Sequence, residues 1–179
     1  SAENKNQIAL NQILLLNTSV KCQTNSIDMD WRTSKALLVL KENSLAINAK
    51  LFSEQLEINN RDYVHEKNIE LQTTLSFKKD SLFIQKGSKI YVEEVEAELS
   101  GGIFYVNTLN LNFSCNTQEL AAVIKHTPEH LKTIYHSFQA NGKLSCSGSV
   151  NGLIDSTSNP SLNMSCHIEN GNFTLNSHP

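Results

Sequence analysis

Between Gln139 and Leu175 the chain reads QANGKLSCSGSVNGLIDSTSNPSLNMSCHIENGNFTL. In its first arm Leu144, Cys146, Gly148 and Val150 alternate with Ser145, Ser147, Ser149 and Asn151. The second arm repeats the scheme, with Leu162, Met164, Cys166 and Ile168 alternating with Asn163, Ser165, His167 and Glu169. Asp155–Pro160 between them is turn chemistry throughout. Period-two alternation bounded by turn residues predicts a β-hairpin with one dry and one wet face. Whatever else the chain does, it must give that dry face something to touch.

The same rhythm recurs upstream. Leu45, Ile47, Ala49 and Leu51 alternate with Ala46, Asn48 and Lys50; Ile69, Leu71, Thr73, Leu75 and Phe77 oppose Glu70, Gln72, Thr74 and Ser76; Leu109, Leu111, Phe113 and Cys115 oppose Asn110, Asn112 and Ser114. Turns are expected at Lys41–Asn43, Asn59–Asn60, Lys78–Asp80, Lys86–Gly87 and Ser100–Gly102. Asn25–Ser34, with the only tryptophan, Trp31, reads as a polar connection, and Leu56 with Ile58 as a short separate strand. The apolar parity changes between Val92 and Val95, which suggests a β-bulge near Glu93–Glu94. From Asn116 the period becomes helical. Asn116 or Thr117 offers an N-cap ahead of Leu120–Ile124, and a second short helix is expected from Thr127 with Pro128 in its first turn.

The expectation is one mainly β domain over residues 1–179: antiparallel strands over 1–115, a helical insert over 116–137, and a terminal hairpin with the start of a further strand over 138–179. Nine or ten strands joined by hairpin-length turns form a meander and disfavour parallel α/β folds. The chain is read as cut from a longer protein.

Composition narrows the function. Of 179 residues 39% are apolar and only 18% charged, and a formal charge of −3 gives no basic footprint, so nucleic acid is not an expected partner. No run approaches the ~18 apolar residues of a membrane span, and no signal-peptide pattern occurs. Cys22, Cys115, Cys146 and Cys166 include no CxxC, so metal and thioredoxin-type readings fall. A hairpin closing around Thr157 would put Cys146 and Cys166 on facing arms, where a disulfide is conceivable. The favoured reading is a pair of free, small, apolar residues. His126, His130 and His136 do not form HExxH, and Pro128 separates the first two; they are read as surface histidines. Glu94, Glu96 and Glu98 alternate as a solvated face would, and no GxSxG elbow is present. No enzyme activity, cofactor or metal is expected.

Two short helices cannot cover a one-sided sheet of this size. Either it packs against another sheet as a filled sandwich, a binding or adhesion module for carbohydrate or protein using Trp31, Tyr91 or Tyr105, or it curls into an open, apolar-lined trough. In the trough reading the candidate lining is Leu45, Ile47, Ile69, Leu71, Leu75 and Phe77, then Leu109, Leu111 and Phe113, then Leu144, Cys146, Val150, Leu162, Met164, Cys166 and Ile168.

The C-terminal third carries more than alternation. Asn116-Thr117-Gln118-Glu119-Leu120, Pro128-x-x-Leu131, Phe138-x-Ala140-x-Gly142-x-Leu144, Gly148-x-Val150-x-Gly152, Asn159-Pro160-Ser161-Leu162 and Ile168-x-Asn170-Gly171-x-Phe173 follow one another in order. That order, with Asn170-Gly171 read as a turn, resembles the AsmA-like family of bacterial envelope proteins, especially Bacteroidetes-type members, over Asn116–Phe173. The resemblance implies a repeating β-groove (taco-like) fold and a non-enzymatic part in phospholipid transport and outer-membrane biogenesis. It further implies a phospholipid or other acyl-chain ligand, envelope partner proteins, and a periplasmic location. Attachment to the inner membrane would come through an N-terminal anchor that these residues lack.

Overall fold

The computed structural model describes residues 11–24, 27–58, 60–104, 108–128, 138–153 and 160–175. They form nine strands: β1 Gln12–Gln23, β2 Ile27–Lys41, β3 Ser44–Ile58, β4 Arg61–Lys78, β5 Ser81–Val92, β6 Val95–Phe104, β7 Thr108–Glu119, β8 Phe138–Leu153 and β9 Ser161–Leu175. One helix, α1 Leu120–His126, lies between β7 and β8. Every strand pairs antiparallel with its sequence neighbour, so the order across the sheet is the order along the chain. The sheet is open, with β1 and β9 as its edges. Eight steps of about 4.8 Å make it roughly 38 Å wide.

Local chemistry sets the register. Two-residue loops join β2 to β3, β4 to β5 and β5 to β6, and each places its first residue, Glu42, Lys79 or Glu93, at positive φ. Such loops reverse the chain with a twist that matches the flanking strands. Glu93–Glu94 is therefore a hairpin turn, with Val92 paired to Val95, and not the bulge expected there. A tight two-residue reversal changes apolar parity just as a bulge does.

Other expectations are also corrected. Of the stretch read as a polar connection, Ile27–Ser34 is strand: Trp31 sits in β2, opposite Val20 and Ser53. Its polar neighbours are satisfied across strands, Lys21 Nζ on Asp30 at 2.5 Å and Arg32 with Glu54, so charge there marks one side of a strand and not a loop. Leu56 and Ile58 continue β3 past an irregularity, and Lys86–Gly87 is an irregular stretch inside β5. Gly101 and Gly102 lie within β6 and not in a turn. A Cβ on Gly102 would stand 2.6 Å from the Leu82 carbonyl oxygen and 3.1 Å from the Phe83 ring, so glycine is required there for close strand approach. Asn170-Gly171 does not reverse the chain either. β9 runs on to Leu175, and Asn170 (φ 52) faces a register shift in β8 beside Gly142 (φ 120). Asn116 and Thr117 belong to β7, and the helix N-cap is Glu119 without a side-chain bond. The second helix expected from Thr127 falls mostly outside the described residues.

The buried apolar set among the described residues is small: Ala36, Ala49, Ile69, Leu120, Ala140 and Leu144. Several large apolar side chains of the described residues remain exposed, Leu162 and Met164 on β9 among them.

Candidate functional site

Residues directly opposite one another on antiparallel strands share a face, so the register carries one side of the sheet from strand to strand. Starting at Leu40, one row runs Leu45, Leu75, Ile84, Gly101, Leu111, Val150, Leu162. A second runs Ile13, Leu38, Ile47, Thr73 and, beyond the β4–β5 irregularity, Ser88, Leu99, Phe113, Gly148, Met164. A third runs Leu15, Ala36, Ala49, Leu71, Ile90, Ala97 and resumes at Cys115, Cys146, Cys166. Phe77, Leu82, Ile103, Leu109 and Gly152 form a fourth, and Leu51, Ile69, Val92 and Val95 a fifth. Leu144 pairs with Ile168. All sixteen lining candidates thus fall on one face.

These rows contain no charged side chain. Their two hydroxyls satisfy each other: Thr73 Oγ1 donates to Ser88 Oγ at 2.8 Å, and Ser88 Oγ to the Gln85 carbonyl at 2.7 Å. The opposite face holds the ion pairs, Lys50 with Glu70 and Lys89 with Glu96, each at 2.6 Å. Donation to Glu96, reinforced by its charge, holds the Lys89 ammonium above its ordinary pKa.

Small residues shape the apolar face. A Cβ on Gly148 would lie 2.7 Å from the Phe113 ring, so the missing side chain lets that ring rest over β8. Toward β9 the face opens to solvent, with Leu162, Met164 and Ile168 exposed.

Helix α1 closes one end of this face. Leu120 is buried with Ala140 and Leu144, and Val123, Ile124 and Cys146 pack against that cluster. Positions i, i+3 and i+4 of a short helix point to one side, which here is the apolar side of the sheet. At its other end the helix is clamped to the β5–β6 turn: His126 Nε2 lies 2.8 Å from Glu94 Oε2 and Lys125 Nζ 3.4 Å from Oε1. Glu94 is held below the usual carboxylate range, first by its own backbone N–H and then by His126 and Lys125. Glu93 is lowered too. Burial opposes its ionisation, but hydrogen bonds from the backbone and side chain of Asn68 outweigh that. The His126 side chain is only 7% exposed, so it is not the surface histidine expected. Beside it, Tyr63, Val64, Lys67, Val92 and Pro128 enclose a cavity of about 60 Å³. His130 and His136 lie outside the described residues.

Cys146 and Cys166 form a disulfide, with Cα atoms 4.2 Å apart. This corrects the preference for free cysteines. Their register centres the hairpin one residue earlier than Thr157, which pairs them directly. Cys115 and Cys22 are free, the first half-buried and the second exposed.

Sequence reasoning missed the contributions of β1, β2, β5 and β6 to the face: Ile13, Leu15, Ala36, Leu38, Leu82, Ile84, Ile90, Ala97 and Leu99. Ile13–Leu16 and Ala36–Leu40 are unbroken apolar runs, apolar on both faces, so alternation has nothing to show there. A depression of about 700 Å³ is bordered by Arg32, Lys50 and Glu70 as well as Thr33 and Leu51. Its charged rim suits an acyl chain less well than the open apolar rows do. Among the described residues no group of three or more His, Cys, Asp or Glu side chains is placed to hold a metal, and no helix is long and apolar enough to cross a membrane. Comparison of the chain with protein-family models, curated proteins and solved structures finds no match.

Proposed function

We propose that this chain is a non-enzymatic lipid-binding segment whose apolar face holds the acyl chains of a phospholipid or related molecule. The observation that carries the reading is a set of uncharged rows that together cross the nine strands, half-buried over most of their width and exposed at β9. An acyl chain makes no hydrogen bonds, and a lining whose hydroxyls are mutually satisfied asks for none. Burying exposed apolar surface is worth roughly 25 cal/mol per Å², so a chain laid along several rows gains several kcal/mol.

The order of motifs over Asn116–Phe173, similar to AsmA-like proteins, supports placing the segment in a periplasmic bridge serving phospholipid transport and outer-membrane biogenesis. In that setting an N-terminal anchor would tie such a bridge to the inner membrane, and envelope proteins would be its partners. The Cys146–Cys166 bridge is compatible with an oxidising compartment. The sandwich reading, a carbohydrate or protein adhesion module, is less well supported. It needs a second sheet, and the described strands form one; Trp31 and Tyr91 are half-buried, and Tyr105 lies outside the described residues.

Native mass spectrometry and solvent extraction of the purified chain are expected to detect bound lipid, and a fluorescent acyl probe to be taken up. Val150→Asp is expected to abolish uptake while the fold survives, because Val150 is only half-buried. Neither bound lipid nor probe uptake in a chain with native β-sheet circular dichroism would reject the proposal.

A further inference from the structure

Three of the four cysteines stand in one line. Cys115 on β7 is directly opposite Cys146 on β8, which is directly opposite Cys166 on β9. The bond joins the second and third, and the first is a free thiol on the same face. We propose that this row is an internal thiol–disulfide exchange site, in which the bond migrates from Cys146–Cys166 to Cys115–Cys146 and delivers a free thiol to the edge strand.

The geometry suits the reaction. Directly opposed residues on neighbouring strands have Cβ atoms about 4.5–5.5 Å apart, close to the span a disulfide needs. Exchange proceeds by a thiolate attacking one sulfur while the other leaves. Cys146 is the middle residue of the row, with Cys115 and Cys166 on opposite sides of it, the order that an attacking and a leaving sulfur need. The Cys115 thiolate forms the new bond to Cys146 Sγ; the Cys146–Cys166 bond breaks, and its electron pair stays on Cys166 Sγ, which takes up the proton Cys115 gave to solvent. One thiol and one disulfide exist before and after, so no external oxidant or reductant is needed.

The two isomers tie different parts of the molecule. In the first, the bridge fastens edge strand β9. In the second, it joins β7 to β8 at the foot of α1, whose Leu120 cluster already touches Cys146. β9 is then held by hydrogen bonds alone, and exposed Cys166 is open to a small-molecule disulfide or a protein thiol. Burial, with a lesser contribution from Glu96, pushes the Cys115 thiol up, which slows the first step without blocking it. This proposal stands on strand register and does not require the lipid reading.

The test uses the full chain carrying Cys22→Ser, so that the exposed thiol on β1 cannot take part. The protein, kept free of reductant, is incubated with N-ethylmaleimide in mildly alkaline buffer, digested without reduction, and mapped by mass spectrometry. Label is expected on both Cys115 and Cys166, at a rate independent of protein concentration. Adding Cys115→Ser is expected to reduce Cys166 labelling at least tenfold. Independently, Cys166→Ser in a glutathione redox buffer is expected to form a Cys115–Cys146 bond. Label confined to Cys115, Cys166 labelling unchanged by Cys115→Ser, or no Cys115–Cys146 bond in the Cys166→Ser protein would each overturn the proposal.

Discussion

The same face is core in one part of the sheet and surface in another. Across β2–β4, Ala36 is 5%, Ala49 4% and Ile69 4% exposed, while on β9 Leu162 is 62% and Met164 56% exposed. These residues lie on one side of the sheet. What differs is size and neighbourhood. Ala36 and Ala49 are small, with Leu15 and Leu71 in the same row, whereas β9 has no strand beyond it. Apolar character alone therefore does not decide what a position does. In the first region it stabilises the sheet; in the second it is surface available for contact.

That contrast is open to direct attack. The largest effect is expected for Ala49→Asp, which puts an unpaired carboxylate into a closed site and costs about 3–5 kcal/mol, read from the denaturant midpoint. Met164→Asp, on edge strand β9, should leave that midpoint within about 0.5 kcal/mol and still weaken acyl-probe uptake. Equal losses of stability in the two proteins would erase the distinction. Cys146→Ser removes the bridge that closes a loop over a separation of 20 residues; a loss of about 3 kcal/mol is expected, with amide protection falling first on β9. Leu120→Ala empties the centre of the helix-to-sheet contact, for about 2–3 kcal/mol, and hydrogen exchange should speed up in α1 and the start of β8 but not in β2–β4.

The smallest effect concerns pH. Because the folded pKa of Glu94 lies below its unfolded value, the clamp on His126 and Lys125 is fully present above the ordinary carboxylate range. It is lost as pH falls through the lower folded value. Amide exchange at the C-terminal end of α1 should rise over that acidic window, and Glu94→Gln should abolish the dependence.

Much of the face was legible in the chain, for a physical reason. Ile69–Phe77 and Leu144–Val150 alternate because one side is wet, and the pairings place their apolar members together. What failed was reading one strand without its partner. Asp28, Asp30 and Arg32 look like loop residues until Lys21 and Glu54 are set opposite or beside them. Gly101-Gly102 looks like a turn until the Phe83 ring is placed above it. Buried His126 was hidden for the same reason, since its partner Glu94 lies on a distant turn and no local pattern connects them.

A strand order identical to chain order has a consequence for how the molecule assembles. Each strand finds its partner next to it in sequence, so most ordering events close short loops, and folding of such a topology is expected to zip along the chain without waiting for distant segments. It also makes width a countable property. Inserting or deleting one hairpin would change the breadth of the apolar face by two strand spacings, about 10 Å, without rethreading any other connection.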